Sequence, residues 1–364
     1  MTDDPRNLAS AYMHFAKFGA EARFNLASSG VLGCDLADLG LSWSDLALHG
    51  ANTGGYGPLT QRIAARFGVD PACVVAPGGG ASFVNHLALA ALIAPGDDVL
   101  LETPTYPLIA DMLGYLQAKV RRFERRVEDA WALDPDRIAA AITPATRLVA
   151  LTDLHNPSSA PAGDSAVAAI AEAAAEVGAT LFIDEVYREL AFGDGPPRTA
   201  FREDGNVVVT SSLTKAYGLS GLRCGWILAP KPLAERMRRL NDLYGVHPPH
   251  IAERMAVVAF DRLPALRARA DALLNANRAA YAELLGRHPK LAQTLFGAGT
   301  TVFPRLLSGE DSEAFFERLR RDYDTSLVPG GYFGAALHGR IGLGGEIEQT
   351  RSGLERVAAA LDAA

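Results

Sequence analysis

Between residues 77 and 230 the chain repeats one pattern: a short apolar run, a turn, then a stretch with helical spacing. The runs fall at 99–102, 118–123, 147–152, 180–184 and 207–210, and most are apolar almost throughout. Strands of that kind are expected to be buried on both faces. Helices are predicted between them at 83–93, 107–116 and 135–142, and from 164 to near Gly178. Asp134 and Pro135 read as an N-cap and a first helical residue. Asp164 reads as the cap of an alanine-rich helix, and Gly178 as its left-handed stop. This alternation predicts an α/β fold: a large domain whose mostly parallel sheet is covered by helices on both faces. Ligands of such sheets lie beyond the carboxyl ends of the strands, so the residues just past each strand are the first candidates for chemistry.

The pattern differs on either side. Leu8, Tyr12, Phe15 and Ala16 recur at helical spacing, residues 23–26 read as a short strand, and ASSG (27–30) breaks it. HGANTGGYGP (49–58) is a loop whose backbone can approach something closely, and a helix comes next at 61–67. Beyond Pro230, helices are predicted at 231–243, 251–260 and 264–286. Then come a strand at 301–306, a helix at 312–320, short strands at 326–328 and 340–343, and a last helix from Glu346. A chain of 364 residues exceeds the size at which one core stops growing, so it is expected to divide. Residues 1–45 read as an N-terminal arm with part of a small domain. Residues 46–240 form the large domain, and 241–364 a smaller α+β C-terminal domain with its connecting helix.

Composition removes several classes of function. Hydrophobic residues at 49% and charged residues at 21% belong to an ordinary globular protein. A net charge of −7 offers no basic face for nucleic acid. Arg121, Arg122, Arg125 and Arg126 are interrupted by glutamate and read as a solvated surface. No apolar run reaches the ~18 residues of a membrane span. The polar start MTDDPRN is unlike a signal peptide. Cys34, Cys73 and Cys224 have neither a disulfide framework nor metal-ligand spacing, so a cytoplasmic location is expected.

Four stretches at predicted strand ends could carry chemistry. Asp184 closes an apolar strand, and a buried carboxylate needs a cation or strong donors; it either caps the next helix or holds a buried cationic ring nitrogen. His155-Asn156-Pro157 ends another strand, where Asn156 is a turn former or an amide ligand. Gly78-Gly79-Gly80 before Ser82 resembles an anion cradle at a helix start. It is no P-loop, since no Gly-Lys-Ser/Thr comes after it, and it lacks the glycine spacing of a dinucleotide fingerprint. VVVTSSLTKAYGLSGLRCGWILAP (207–230) is the most specific. Lys215 comes after a buried strand, where burial lowers a lysine's pKa and makes it nucleophilic towards carbonyls. Ser212 and Arg223 on either side can bind phosphate.

SLTKAYGLSGLRCGW (212–226) resembles the lysine signature of the class I/II aminotransferases, pyridoxal-phosphate (PLP) enzymes of fold type I similar to aspartate aminotransferase. The likeness runs from ASSG (27–30) to RIGLG (340–344), with the motifs in the family's order. It implies that Lys215 binds pyridoxal 5′-phosphate as an internal aldimine and later carries the proton. Asp184 then faces the pyridinium nitrogen, and Asn156 and Tyr187 the phenolic oxygen. Gly80, Ala81, Ser82, Ser212 and Arg223 bind the phosphate, and Tyr106 stacks on the ring. Arg340 clamps the substrate α-carboxylate, with Asn156 and the backbone of Gly30 beside it. The implied reaction moves the amino group of an L-amino acid to a 2-oxo acid in a homodimer, without nucleic acid or membrane.

This sequence departs from the family's pattern twice. Asn156-Pro157-Ser158-Ser159 replaces the usual Asn-Pro-Thr-Gly. Gly50 stands where the family tends to place a tyrosine that reaches the partner's phosphate, with Tyr56 or Asn52 as substitutes. Another PLP reaction on the same scaffold (a lyase, a decarboxylase or an amino-acid-modifying enzyme) is the alternative, since fold does not fix reaction type. The effector half of a transcription regulator would need a preceding DNA-binding module. A nicotinamide oxidoreductase rests only on the glycine triplet. Tyr12, His14, Phe15, His247, His250, Tyr332 and Phe333 are candidates to line the side-chain pocket.

Overall fold

The computed structural model describes residues 8–41, 46–52, 54–191, 197–307 and 310–363, so the polar opening heptapeptide lies outside the described residues. In chain order the first elements are α1 (Ala11–His14), β1 (Phe24–Asn25), α2 (Gly57–Phe67), β2 (Val74–Val75), α3 (Gly80–Leu92) and β3 (Asp98–Thr103). They continue with α4 (Pro107–Tyr115), β4 (Lys119–Glu124), α5 (Pro135–Ala141), β5 (Thr146–Thr152), α6 (Asp164–Glu176), β6 (Thr180–Asp184), β7 (Val207–Ser212) and β8 (Gly225–Leu228). The seven-stranded sheet has the order β2-β8-β7-β6-β5-β3-β4, and only β8 runs against the others.

Successive residues of these strands feed two different cores. Leu100, Val149, Leu151, Leu181, Ile183 and Val209 face one side, packed on residues of α2 and α6. Val99, Leu101, Leu148, Ala150, Phe182 and Val208 face the other, packed with α3 and α4. Both faces being covered explains why these strands lack polar alternation.

The chain then forms α7 (Lys231–Asn241) and one long helix, α8 (His250–Arg287). The two helices expected at 251–260 and 264–286 are therefore one. Pro264 lies inside it without ending it, because Ala256, Ala259, Leu263, Leu266, Ala270, Leu274 and Tyr281 keep one buried stripe across the proline. The remaining elements are β9 (Leu291–Ala292), β10 (Thr301–Val302), β11 (Arg305–Leu306), α9 (Ser312–Tyr323), β12 (Thr325–Ser326), β13 (Val328–Pro329), β14 (Gly339–Gly342) and α10 (Ile347–Asp362). The single strand expected at 301–306 is thus two: β10 pairs with β14 and β11 with β9, and Pro304 separates them. The N-terminal strand joins this part, since β1 pairs in parallel with β12.

Two expectations about charged residues are corrected. Asp164 is the first residue of α6 rather than its cap, which is Gly163; its carboxylate instead accepts from Arg188 at 2.5 Å. The arginine cluster is a solvated surface only in part, at Arg122 and Arg126. Arg125 is fully buried against Glu102, at 3.3 Å, and Arg121 grips Asp98, at 2.6 Å. Because β4 lies at the sheet edge beside β3, its arginines reach the acidic residues of that strand. Arg126 pairs with Glu124 at the exposed rim, and Arg122 is exposed beside it.

Candidate active site

Five of the candidate side chains stand just past the carboxyl ends of parallel strands: Tyr106 after β3, Asn156 after β5, Asp184 and Tyr187 at the end of β6, and Lys215 after β7. Gly80, Ala81 and Ser82 start α3 after β2, and Arg223 precedes the antiparallel β8. The topology therefore gathers these groups on one edge of the sheet. Arg340 comes from β14 and Gly30 from the loop after β1, so the far side of the cleft is made by the two ends of the chain.

Lys215 feels Arg340, Asp184 and Arg223 electrostatically, which places all four groups around one cleft. Burial, with the positive charges of Arg340 and Arg223, lowers its ammonium from 10.5 to about 8, while Asp184 opposes that fall. Its Nζ donates to Ser29 Oγ at 3.0 Å. Asp184 is buried and its carboxyl is raised, chiefly by desolvation. Two donors oppose that rise: Asn85 Nδ2 at 2.7 Å and the backbone N–H of Val186 at 3.0 Å. It caps no helix. Asn85 is itself oriented, because Thr210 Oγ1 donates to its carbonyl oxygen at 2.6 Å and so turns its NH2 to Asp184.

Arg340 is buried, and its guanidinium donates to Asn156 Oδ1 at 3.2 Å, the Tyr12 hydroxyl at 3.1 Å and the Ala27 carbonyl at 3.0 Å. Its charge also lies over the rings of Phe333 and Tyr12. Tyr12 meets Tyr106, Tyr332 and Phe333 edge-on, which makes an aromatic wall beside the arginine. Phe15 reaches Tyr332, whereas His14 is exposed and rests on Phe18.

The phosphate end is built by close backbone approach. A Cβ on Gly80 would lie 2.6 Å from an Arg223 nitrogen. Gly80 N–H donates to the Arg223 carbonyl, and Arg223 Nη2 donates to the Gly79 carbonyl at 2.7 Å. The helix start, with its free N–H groups, thus faces an exposed guanidinium.

The departure at Gly50 has a steric counterpart. A Cβ there would fall 2.2 Å from the His250 ring, so this imidazole occupies the space beside Gly50. Asn52 donates to Glu253 and to the Pro248 carbonyl, and Tyr56 stacks edge-on with His250. His250 is buried there, and His247 is exposed.

Sequence reasoning missed Asn85 and Ser29. Asn85 lies in a mostly apolar helix, and nothing local in the sequence tells which way it faces. Ser29 lies in the ASSG segment, but nothing local tells which serine faces the lysine.

A model of the family described as aminotransferase class I and II matches residues 48–357. Capreomycidine synthase of Streptomyces vinaceus is 30% identical over 78% of this chain and 73% of its own length. Arginine–pyruvate transaminase of Pseudomonas aeruginosa is 31% identical over 85% of this chain and 81% of its own. Among solved structures, a PLP-dependent aminotransferase of Streptococcus suis superposes with a TM-score of 0.89 at 24% identity, over 98% of both chains. The PLP-dependent cyclase OrfR superposes with a TM-score of 0.88 at 25% identity, over 98% of this chain and 97% of its own. The architecture is that of the fold type I pyridoxal-phosphate enzymes. The chain belongs to the class I and II aminotransferase family, and its cofactor is pyridoxal phosphate.

The residues present fit that group. Tyr187 Oη and Arg340 Nε are buried polar atoms with no partner among the described residues, and both belong to the residues that ring Lys215. A cradle with no room for a Cβ lies opposite, with Arg223 beside it.

Proposed function

We propose that this PLP-dependent aminotransferase works through Lys215 on an L-amino acid held by Arg340, passing the amino group to a 2-oxo acid. The observation that carries this reading is the place of the Lys215 amine, just past the end of β7 and facing Asp184, Arg223 and Arg340, where desolvation lowers it to about 8. Bound pyridoxal phosphate supplies an electron sink for the pair left when the α-proton departs. Asp184 would hold its ring nitrogen, Asn156 and Tyr187 its phenolic oxygen, and Tyr106 its face. Gly80, Ala81, Ser82, Ser212 and Arg223 would hold its phosphate. Arg340 binds the substrate carboxylate, with the Gly30 backbone on the other side. Neutral Lys215 Nζ takes the proton from Cα and returns it to the accepting carbon.

One relative is an arginine–pyruvate transaminase, which makes arginine the first donor and pyruvate the first acceptor to try. The test is a panel of L-amino acids and 2-oxo acids on PLP-loaded enzyme, reading each oxo acid formed. Lys215→Ala is expected to fold and to lower turnover by at least about a thousandfold; normal turnover in that variant sinks the assignment. The name of one solved structure, a cyclase, favours a second reading, ring closure on the same scaffold. Consumption of donor without formation of any oxo acid selects it.

A cytoplasmic homodimer completes the proposal. Leu48, Leu243, Tyr244 and Val246 are exposed, and Pro248 near the last of them packs over Gly78 of the cradle, so a second copy covering this apolar surface is the reading it supports. The domain limits at 45 and 240 belong to the same proposal.

A further inference from the structure

We propose that Ser29 is a further catalytic residue, whose hydroxyl holds the Lys215 amine on the proton-carrying path whenever that amine is free. The inference rests on the aminotransferase reading for its chemistry and on geometry for its assignment. Ser29 is 7% exposed, and its Oγ is the hydrogen-bond acceptor for Lys215 Nζ, at 3.0 Å. No other hydrogen bond of that nitrogen is present among the described residues. Main-chain bonds fix the serine relative to the lysine. Thr300 Oγ1 donates to the Ser29 carbonyl at 2.7 Å, and the N–H of Val31 donates to the Lys215 carbonyl at 3.0 Å. The N–H of Leu32 donates to the Gly344 carbonyl at 2.7 Å. The hydroxyl is thus presented by a backbone that is pinned on both sides.

A lysine amine is carried on four carbon–carbon rotors, and its reach covers more positions than the reaction uses. An acceptor at a fixed place removes most of that freedom, and misplacement of a reacting group by about 1 Å costs up to a hundredfold in rate. With its oxygen occupied by the Lys215 N–H, the Ser29 proton is free to point away from the lysine. The group it influences there is Tyr187, whose own proton affinity is raised by burial and lowered by Arg340 and Ser29. The Ser29 hydroxyl thus bonds the amine and neighbours the phenol, whose Oη has no hydrogen-bond partner of its own among the described residues. The charged and titratable groups that face the amine are Asp184 from β6, Arg340 from β14 and Arg223 before β8.

Ser29→Ala and Ser29→Thr separate this role from a structural one. Alanine leaves the main-chain bond from Thr300 in place, and threonine keeps the hydroxyl. In PLP-loaded enzyme, Ser29→Ala is expected to lower kcat about ten- to a hundredfold with KM within about twofold, and Ser29→Thr to recover most of the loss. In apoenzyme, the rate of pyridoxal phosphate capture reports the neutral amine. For wild type it is expected to rise with pH and to level only above about 8, the levelling point following the pKa of the amine. Loss of the acceptor disfavours the ammonium, so the levelling point of Ser29→Ala is expected to move down by about half a unit. A folded Ser29→Ala protein with unchanged kcat and an unchanged levelling point overturns the proposal. The capture experiment needs no turnover, so a wild type that transaminates no donor counts against the reaction while the shift still decides Ser29.

Discussion

Asp184 is the residue at which burial and function pull hardest against each other. Desolvation raises its carboxyl, and a cationic ring nitrogen needs it ionised. Asn85 supplies the opposing donor, at 2.7 Å. Asn85→Leu removes that donor and leaves the Thr210 hydroxyl without its acceptor. The expected cost is about 1–3 kcal/mol in urea unfolding. A holoenzyme that loses pyridoxal phosphate more readily should accompany it, read by dialysis against wild type; unchanged cofactor retention would rule out the tuning role. Asp184, Asn156 and Lys215 were legible in the sequence because each closes an apolar strand, and strand ends of a parallel sheet converge. Asn85 was not, since its facing depends on the rotation of α3 against β6 and β7. Ser29 was not, because its partner is 186 residues away.

At the scale of elements, the parallel strands and the helices between them were legible from burial on both faces and from cap residues such as Asp134, whose carboxylate accepts from Arg137 N–H. The C-terminal elements were less so. There the strands are two residues long in most cases, and tertiary pairing rather than local pattern decides them. The long helix α8 is the clearest case. Pro264 signals a break, but the buried stripe on either side outweighs it. Pro264 cannot donate to the carbonyl four residues back, so Pro264→Ala should restore one helical hydrogen bond. A gain of about 1–3 kcal/mol in thermal or urea unfolding is expected, with activity unchanged. A loss of stability would show that α8 depends on the bend a proline imposes.

At the scale of the whole molecule, the buried arginine joins the core to the site. Arg125 pairs with Glu102, whose Oε1 accepts from both the N–H and the hydroxyl of Thr152. The same Thr152 hydroxyl oxygen accepts from the N–H of Asn156 at 3.0 Å. Arg125→Leu leaves Glu102 buried without its cation, a loss expected to cost about 3–5 kcal/mol. Its activity at low temperature, where the fold persists, should fall mainly through KM, because Asn156 is the residue displaced next to Arg340. Full activity with the same instability would confine the pair to the core.

The segment from Leu26 to Leu32 is held by Thr300, Gly342 and Gly344, and a Cβ on Gly342 would come within 1.7 Å of the Ser28 carbonyl. This early part of the cleft is therefore seated by residues made much later, Thr300 lying 271 positions beyond Ser29. Every strand of the seven-stranded sheet is made before that seat exists. A nascent chain halted before β14 would hold its lysine at a strand end with no wall opposite. Competence to bind an amino acid would arrive abruptly, and after the scaffold that positions it.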